Sequence, residues 1–241
     1  MTRYAMVIDR QRCVGCGGCI IACKQENNLP EGINWSYKIT ETSGTFPDVR
    51  FNYLPTLCNH CKNAPCVRGC PTSALYKDDN GLTMHNPDKC IGCKYCMINC
   101  PYGVISFNWE APHKPWKDKT PLLKGITSSP EEVTKASGGN TIPYYNSERE
   151  DTLDGIRPKG VVEKCTFCDH RVKKGELPYC VEACPSDARI FGDVEDPNSS
   201  VSKLLGKYKP DRLKEHLGTE PQVYYIRSYN PAEHNEKKGG V

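Results

Sequence analysis

CIGCKYCMINCP, residues 90–101, is the stretch whose reading decides the fold. Cys90, Cys93 and Cys96 recur at every third position, Cys100 follows, and Pro101 closes the run. Three side chains can converge from so short a loop only if the backbone bends closely, which Gly92 permits. Outward from it, CVGCGGCIIACK at residues 13–24 repeats the spacing with Cys13, Cys16, Cys19 and Cys23. Gly15 and Gly17 lie in that loop, and Lys24 stands where the proline would be. Two looser groups complete the set. One is Cys58, Cys61, Cys66 and Cys70, with Pro65 in a four-residue second gap; the other is Cys165, Cys168, Cys180 and Cys184, with an eleven-residue second gap. All 16 cysteines fall into these groups, with none left over.

The run C-x2-C-x2-C-x3-C-P is that of bacterial ferredoxins: the first three thiolates hold one iron–sulfur cluster and the fourth ligates its neighbour. Cys-Pro at Cys70, Cys100 and Cys184 fits the same reading. Disulfides suit small secreted chains, but a C-x2-C-x2-C spacing is poor for pairing neighbours. Zinc accounts for paired C-x2-C knuckles and leaves the third cysteine of the two regular runs unexplained. The expectation is therefore four [4Fe-4S] clusters held by iron–thiolate bonds.

Spacing also pairs the groups. Only residues 71–89 separate the second group from the third, and DDNGLTMHNPD within them reads as a hairpin with a tight Asn80-Gly81 turn. Those two groups form one two-cluster module, and the first and fourth are partners by elimination. Exchange of each fourth cysteine gives the expected ligand sets. They are Cys13, Cys16, Cys19 and Cys184; Cys23, Cys165, Cys168 and Cys180; Cys58, Cys61, Cys66 and Cys100; and Cys70, Cys90, Cys93 and Cys96. The fold class is α+β: two bacterial ferredoxin-like modules, one inserted in the other, with long loops and a C-terminal extension. Residues 1–50 and 158–241 form the outer module, 51–110 the inserted one, and 111–157 a loop excursion that contacts a partner. Strands are expected at Tyr4 to Asp9, around Leu82 to Met84, at Val104 to Trp109 and in VYYIRSY (223–229), and a helix at Val201 to Tyr208.

Composition agrees. Only 37% of the 241 residues are hydrophobic, against 20 glycines and 19 prolines, so something besides apolar packing must hold the chain. The formal charge of +3 falls to about −5 once four clusters of net charge about −2 are counted, so it is no nucleic-acid signal. No apolar run approaches the ~18 residues that cross a bilayer. The start, MTRYAMVIDRQRC, has neither an apolar signal region nor a twin-arginine motif. The chain is thus expected neither to span a membrane nor to export itself. No nucleophile–base pair, phosphate loop or nucleotide fingerprint appears, so substrate chemistry is expected elsewhere. His60 and His170 beside ligand cysteines read as hydrogen-bond donors or acceptors more readily than as ligands. Lys24, Lys62, Lys94 and Lys164 either raise cluster potentials or are solvated. Tyr95, Tyr102 and Phe167 either pack over clusters or relay electrons.

Taken together, MVIDRQRCVGCGGCIIACKQEN, PTLCNHCKNAPCVRGCPTSAL, DKCIGCKYCMINCPYGVISF and EKCTFCDHRVKKGELPYCVEACPSDARIFGD resemble the four-cluster iron–sulfur subunits of the molybdopterin oxidoreductases related to dimethyl sulfoxide reductase. EGINWS, GTFPDVRFNYLPTLCNHC, IRPKG and VYYIRSY look most like the iron–sulfur subunits of respiratory arsenate reductases. Polysulfide, thiosulfate, tetrathionate and dimethyl sulfoxide reductases and an arsenite-oxidising relative use similar subunits. The resemblance implies a non-catalytic electron-transfer subunit in a heterodimer with a large catalytic subunit, which carries a molybdenum bis-pterin cofactor. A membrane quinol-oxidising subunit or a cytochrome would donate electrons. The Cys13 set would lie nearest the catalytic subunit and the Cys70 set farthest. It also implies a periplasmic location, with the chain exported folded beside a partner bearing a twin-arginine signal. A free-standing polyferredoxin is the alternative of a different class, but it would need neither the 111–157 excursion nor the terminal extension.

Overall fold

The computed structural model describes residues 2–30, 32–110, 121, 123–139, 146 and 158–227. Strand β1 (Tyr4–Asp9) forms as expected, and its apolar run is buried because both sides are covered. It pairs antiparallel with β8 (Arg189–Asp193) and parallel with β9 (Val223–Ile226), so the beginning and end of the chain share one sheet. Side chains alternate across a strand. Met6 and Ile8 accordingly face a core that contains Cys23, Cys58, Cys165 and Cys180, while Ala5 and Val7 pack with Val201 and Ile226. Helix α7 (Ser200–Lys207) supplies Val201 and is capped by Ser199, whose hydroxyl accepts from the Ser202 amide at 3.0 Å. The expected C-terminal helix and strand thus cover the sheet. The strand ends at Ile226, where Arg227 turns into the left-handed region (φ 53°) and pairs with buried Asp9; Ser228 and Tyr229 of the expected strand lie outside the described residues.

The other elements are short. Strands β2 (Ser36–Ser43) and β3 (Arg50–Leu57) make a hairpin that no sequence expectation covered; its base is buried and its tip is exposed. Strands β4 (Leu75–Lys77) and β5 (Thr83–His85) form the expected second hairpin. Its connection is not the tight Asn80-Gly81 turn. A two-residue turn of that kind needs positive φ at both central residues, and of these two only Gly81 has it, at 75°. The Asp78 carboxylate instead accepts from the amides of Asn80 (3.0 Å) and Leu82 (2.7 Å) and holds a wider loop. The strand expected at Val104 to Trp109 shrinks to β6 (Ser106–Phe107), paired with β7 (Val162–Glu163); Val104 and Ile105 are buried in the core instead.

Helices α1 (Gly18–Glu26), α2 (Pro65–Arg68), α3 (Tyr95–Asn99), α5 (Asp169–Val172) and α6 (Tyr179–Glu182) each start at or beside a cysteine. Within the 111–157 excursion, α4 (Pro130–Ala136) begins with a reciprocal Ser129–Glu132 capping box. Asn146 exchanges hydrogen bonds with Asn28 at 2.8 and 2.9 Å, which returns the excursion to the end of α1. Residues 111–120, 122, 140–145 and 147–157 of that excursion lie outside the described residues. The segment before β9 straps the middle of the chain. Thr219 and Glu220 carbonyls accept from Asn63 (3.1 Å) and Lys62 (2.9 Å), and Gln222 donates to Asn59 (2.8 Å). Among the described residues no helix is long and apolar enough to cross a membrane.

Candidate iron–sulfur centres

The loop Cys13–Cys19 turns through Gly15 (φ 70°) and Gly17 (φ 77°) before α1 begins. Its cysteines and Cys184 line one recess of ≈ 380 Å³, counting the part open to solvent. Lys38 from β2 closes one side and donates to the Gly15 carbonyl at 2.5 Å. The other recesses are lined by Cys58, Cys61, Cys66 and Cys100 (≈ 320 Å³) and by Cys70, Cys90, Cys93 and Cys96 (≈ 300 Å³). Cys23, Cys165, Cys168 and Cys180 are all buried, and the last three act electrostatically on the Cys23 thiol. Each expected set of four is therefore brought into one neighbourhood.

These neighbourhoods suit a cluster better than one ion. Among the described residues no three His, Cys, Asp or Glu side chains converge as a single metal ion requires. Burial, together with neighbouring thiols, pushes Cys61 up to about 11 and Cys66 and Cys96 up to about 12. Such thiols are ligands only as thiolates, so a cationic core must supply the compensating charge.

Two thiols behave differently. Burial pushes Cys70 and Cys184 up, but hydrogen bonds outweigh it and bring both below the usual thiol range. The amides of Leu75, Thr72 and Ala74 act on Cys70; those of Ser186, Ala188 and Arg189 act on Cys184. Thr72 and Ser186 add their hydroxyls at 3.8 Å. Both loops read Cys-Pro-(Thr/Ser)-x-Ala, and in both the residue before the alanine is left-handed, Ser73 at 53° and Asp187 at 49°. That repeat was visible in the sequence and marks two equivalent thiolate nests.

The neighbouring residues have the following places. His170 Nε2 bonds buried Glu26 at 2.7 Å, whereas His60 Nδ1 accepts from the Thr83 amide at 3.1 Å and its buried Nε2 has no hydrogen-bond partner among the described residues. Lys24 ties Pro30 and Ile33 carbonyls at 2.8 Å each, and Lys164 is buried, donating to the Thr83 and Cys165 carbonyls. Lys94 lies 3.5 Å from the Trp109 ring centroid, while Lys62 is exposed beside Glu220. Phe167 is buried and stacks on His60 with centroids 3.9 Å apart; Tyr102 bonds Thr219 at 2.5 Å, and Tyr95 is exposed. Sequence reading passed over Arg189, Lys38 and Lys77, whose ammonium donates to the Cys61 carbonyl at 3.0 Å.

Gly92 gives a direct test of the fourth loop. It has φ 67°, and a Cβ there would stand 2.1 Å from the Gly160 carbonyl oxygen. Gly92→Ala adds ~1–2 kcal/mol of left-handed strain to a backbone collision. The variant is expected to melt earlier and to lose roughly a quarter of its iron. Wild-type iron and melting temperature would contradict this account of the loop.

Comparison with known proteins agrees with this chemistry. A family model described as a 4Fe-4S dicluster domain matches residues 49–115 and 133–194. The arsenate respiratory reductase iron–sulfur subunit ArrB of Shewanella sp. (strain ANA-3) is 57% identical over 94% of this chain and 97% of its own length. The chain belongs to this 4Fe-4S dicluster family of reductase iron–sulfur subunits. Other members are similar over 93–94% of the chain. A putative dimethyl sulfoxide reductase iron–sulfur subunit from Halobacterium salinarum is 41% identical over 79% of its length. A selenate reductase subunit from Mesobacillus selenatarsenatis is 40% identical over 72% of its length. As a 4Fe-4S dicluster protein, the chain combines a mixed α/β fold with cluster-binding cysteine loops, and its function is electron transfer.

Proposed function

We propose that this chain is the electron-transfer subunit of a respiratory arsenate reductase, carrying single electrons between a quinol- or cytochrome-linked donor and a molybdopterin catalytic subunit. Four [4Fe-4S] clusters are assigned to the Cys13–Cys16–Cys19–Cys184, Cys23–Cys165–Cys168–Cys180, Cys58–Cys61–Cys66–Cys100 and Cys70–Cys90–Cys93–Cys96 sets. A bound cluster supplies reversible one-electron chemistry with little rearrangement. The single observation that carries the relay is a gradient of burial. Cys16 and Cys93, in the first and last sets, are exposed, whereas all four cysteines of the second set are buried. The sets neighbour one another in that order: Cys19 acts electrostatically on Cys180, Cys58 acts on Cys165, and Cys61 and Cys66 share a buried cluster with Cys96. Buried middle sites exclude water and oxidants, and exposed ends admit partners.

The proposed nesting of a 51–110 module within an outer module of 1–50 and 158–241 is supported by the sheet, in which β1 pairs with both β8 and β9, and 111–157 is assigned to partner contact. The similarity to ArrB over nearly the whole of both chains supports arsenate as the partner's substrate. By the same similarity, the chain works in the periplasm or at the outer face of the cytoplasmic membrane, exported folded with a partner that bears the twin-arginine signal. Anaerobic co-purification is expected to retrieve a large molybdenum-containing subunit, and the complex is expected to turn over arsenate. Turnover of a sulfur oxyanion alone would overturn the substrate assignment; a stable monomer indifferent to any large subunit would overturn the heterodimer.

A further inference from the structure

We propose that the guanidinium of Arg189 is a fixed cation shared by the first and second thiol sets, which raises the reduction potentials of both sites and sets them apart from the third and fourth. The proposal rests on the cluster assignment above. Arg189 opens β8, paired with Ile8 at the centre of the sheet, and is only 3% exposed. Its side chain lines the recess of Cys13, Cys16, Cys19 and Cys184. Nη2 donates to the hydroxyl of buried Ser36 at 2.9 Å, which fixes the plane of the group. Nε and Nη1 are buried and meet no oxygen or nitrogen acceptor among the described residues, and the side-chain hydrogen bond acting on the group is with the Cys180 thiol. No carboxylate among those residues pairs with it; the thiols acting on it are Cys180 of the second set and Cys19 of the first. In return it acts on Cys13 and Cys23, again one from each set.

A buried guanidinium without a counter-charge is strongly unfavourable. Buried N–H groups that meet only sulfur, between two thiol sets, therefore call for anions on both sides, which thiolate-ligated clusters of net charge about −2 provide. A fixed cation favours the more negative, reduced form of each neighbour over the oxidised form. The buried lysine of this region, Lys164, spends its donors on the Thr83 and Cys165 carbonyls. Arg189, by contrast, keeps two donors free for sulfur. The geometry makes it the residue that levels the first inter-site step.

The test is a redox titration of the anaerobically purified complex, followed by electron paramagnetic resonance, with iron measured first. Arg189→Gln is expected to lower two couples, each by about tenfold in its reduction equilibrium, or about 59 mV for one electron. Arg189→Lys is expected to move the same two couples less, because it keeps the charge. Full iron with four unmoved couples, or equal shifts in the two variants, would overturn the role of the arginine. Unmutated protein without iron would overturn the cluster assignment instead. Should Arg189→Gln shed its iron, unmutated protein labelled with guanidino-15N arginine decides the matter. A 15N coupling on the first and second reduced signals is expected, and its absence refutes the proposal.

Discussion

Cys184→Ser is expected to abolish the cluster of the first cysteine group, Cys13 to Cys19, although residue 184 stands 165 positions beyond that loop. Cys184 follows the end of α6, and the chain turns back there through Pro185 and left-handed Asp187. Its sulfur accepts from the Ala188 amide at 3.3 Å and faces the recess of Cys13, Cys16 and Cys19. Cys180, four residues earlier, is buried on the other side with Cys23. Serine keeps the shape but substitutes a hard, weakly acidic hydroxyl for a soft thiolate in a nest built to hold negative charge. Iron should fall by roughly a quarter, with the signals of the first site gone and three sites retained. Loss confined to the site of Cys165, Cys168 and Cys180 would mean that the fourth cysteines are not exchanged. Because the first site faces the recess flanked by the exposed β2–β3 hairpin, electron delivery to a catalytic partner should fail in the same variant.

What the sequence made legible was whatever a short local pattern dictates. A short apolar run bounded by Tyr4 and Asp9 is too brief for a helix and reads as a strand covered on both faces, and the amphipathic spacing of Val201, Leu204 and Leu205 reads as a helix, which packs on it. Cysteine spacing is equally local, since a ligand loop leaves little choice of where its sulfurs go. The β2–β3 hairpin was hidden because its strands carry Pro55 and a polar run, KITETS, that signals no buried face. Tertiary contacts hold it: Tyr225 donates to the Pro55 carbonyl at 2.9 Å, and Trp35 beside it donates to Glu163 at 3.0 Å. The Val104 to Trp109 strand was overread because apolar residues that enter a thiol-lined core need no strand partner. Arg189 was hidden for the converse reason: nothing in an isolated arginine tells whether its partner is water, a carboxylate or sulfur.

Removal of iron from the complex is expected to abolish the cooperative fold of this chain, not merely its colour. Helices of four to nine residues, and the β4–β5 and β6–β7 ladders of three and two residues, are all too short to persist alone. The apolar core cannot compensate, because thiols stand at its centre: Cys23, Cys58, Cys165 and Cys180 in the main cluster, and Cys61, Cys66 and Cys96 in the second. Phe167 and Cys168 are consecutive left-handed residues, at 56° and 53°, each costing ~1–3 kcal/mol unless something overrides that preference. Ligation of Cys165 and Cys168 to iron would supply that force. Against a typical domain stability of ~5–15 kcal/mol, a few such strained residues without their ligand bonds consume most of the margin. Chelation under reducing, anaerobic conditions should therefore erase the thermal unfolding transition and most far-ultraviolet structure, and restored iron and sulfide should bring both back. A stripped chain that still melts cooperatively near the holoprotein temperature would show that packing, not ligation, holds the fold.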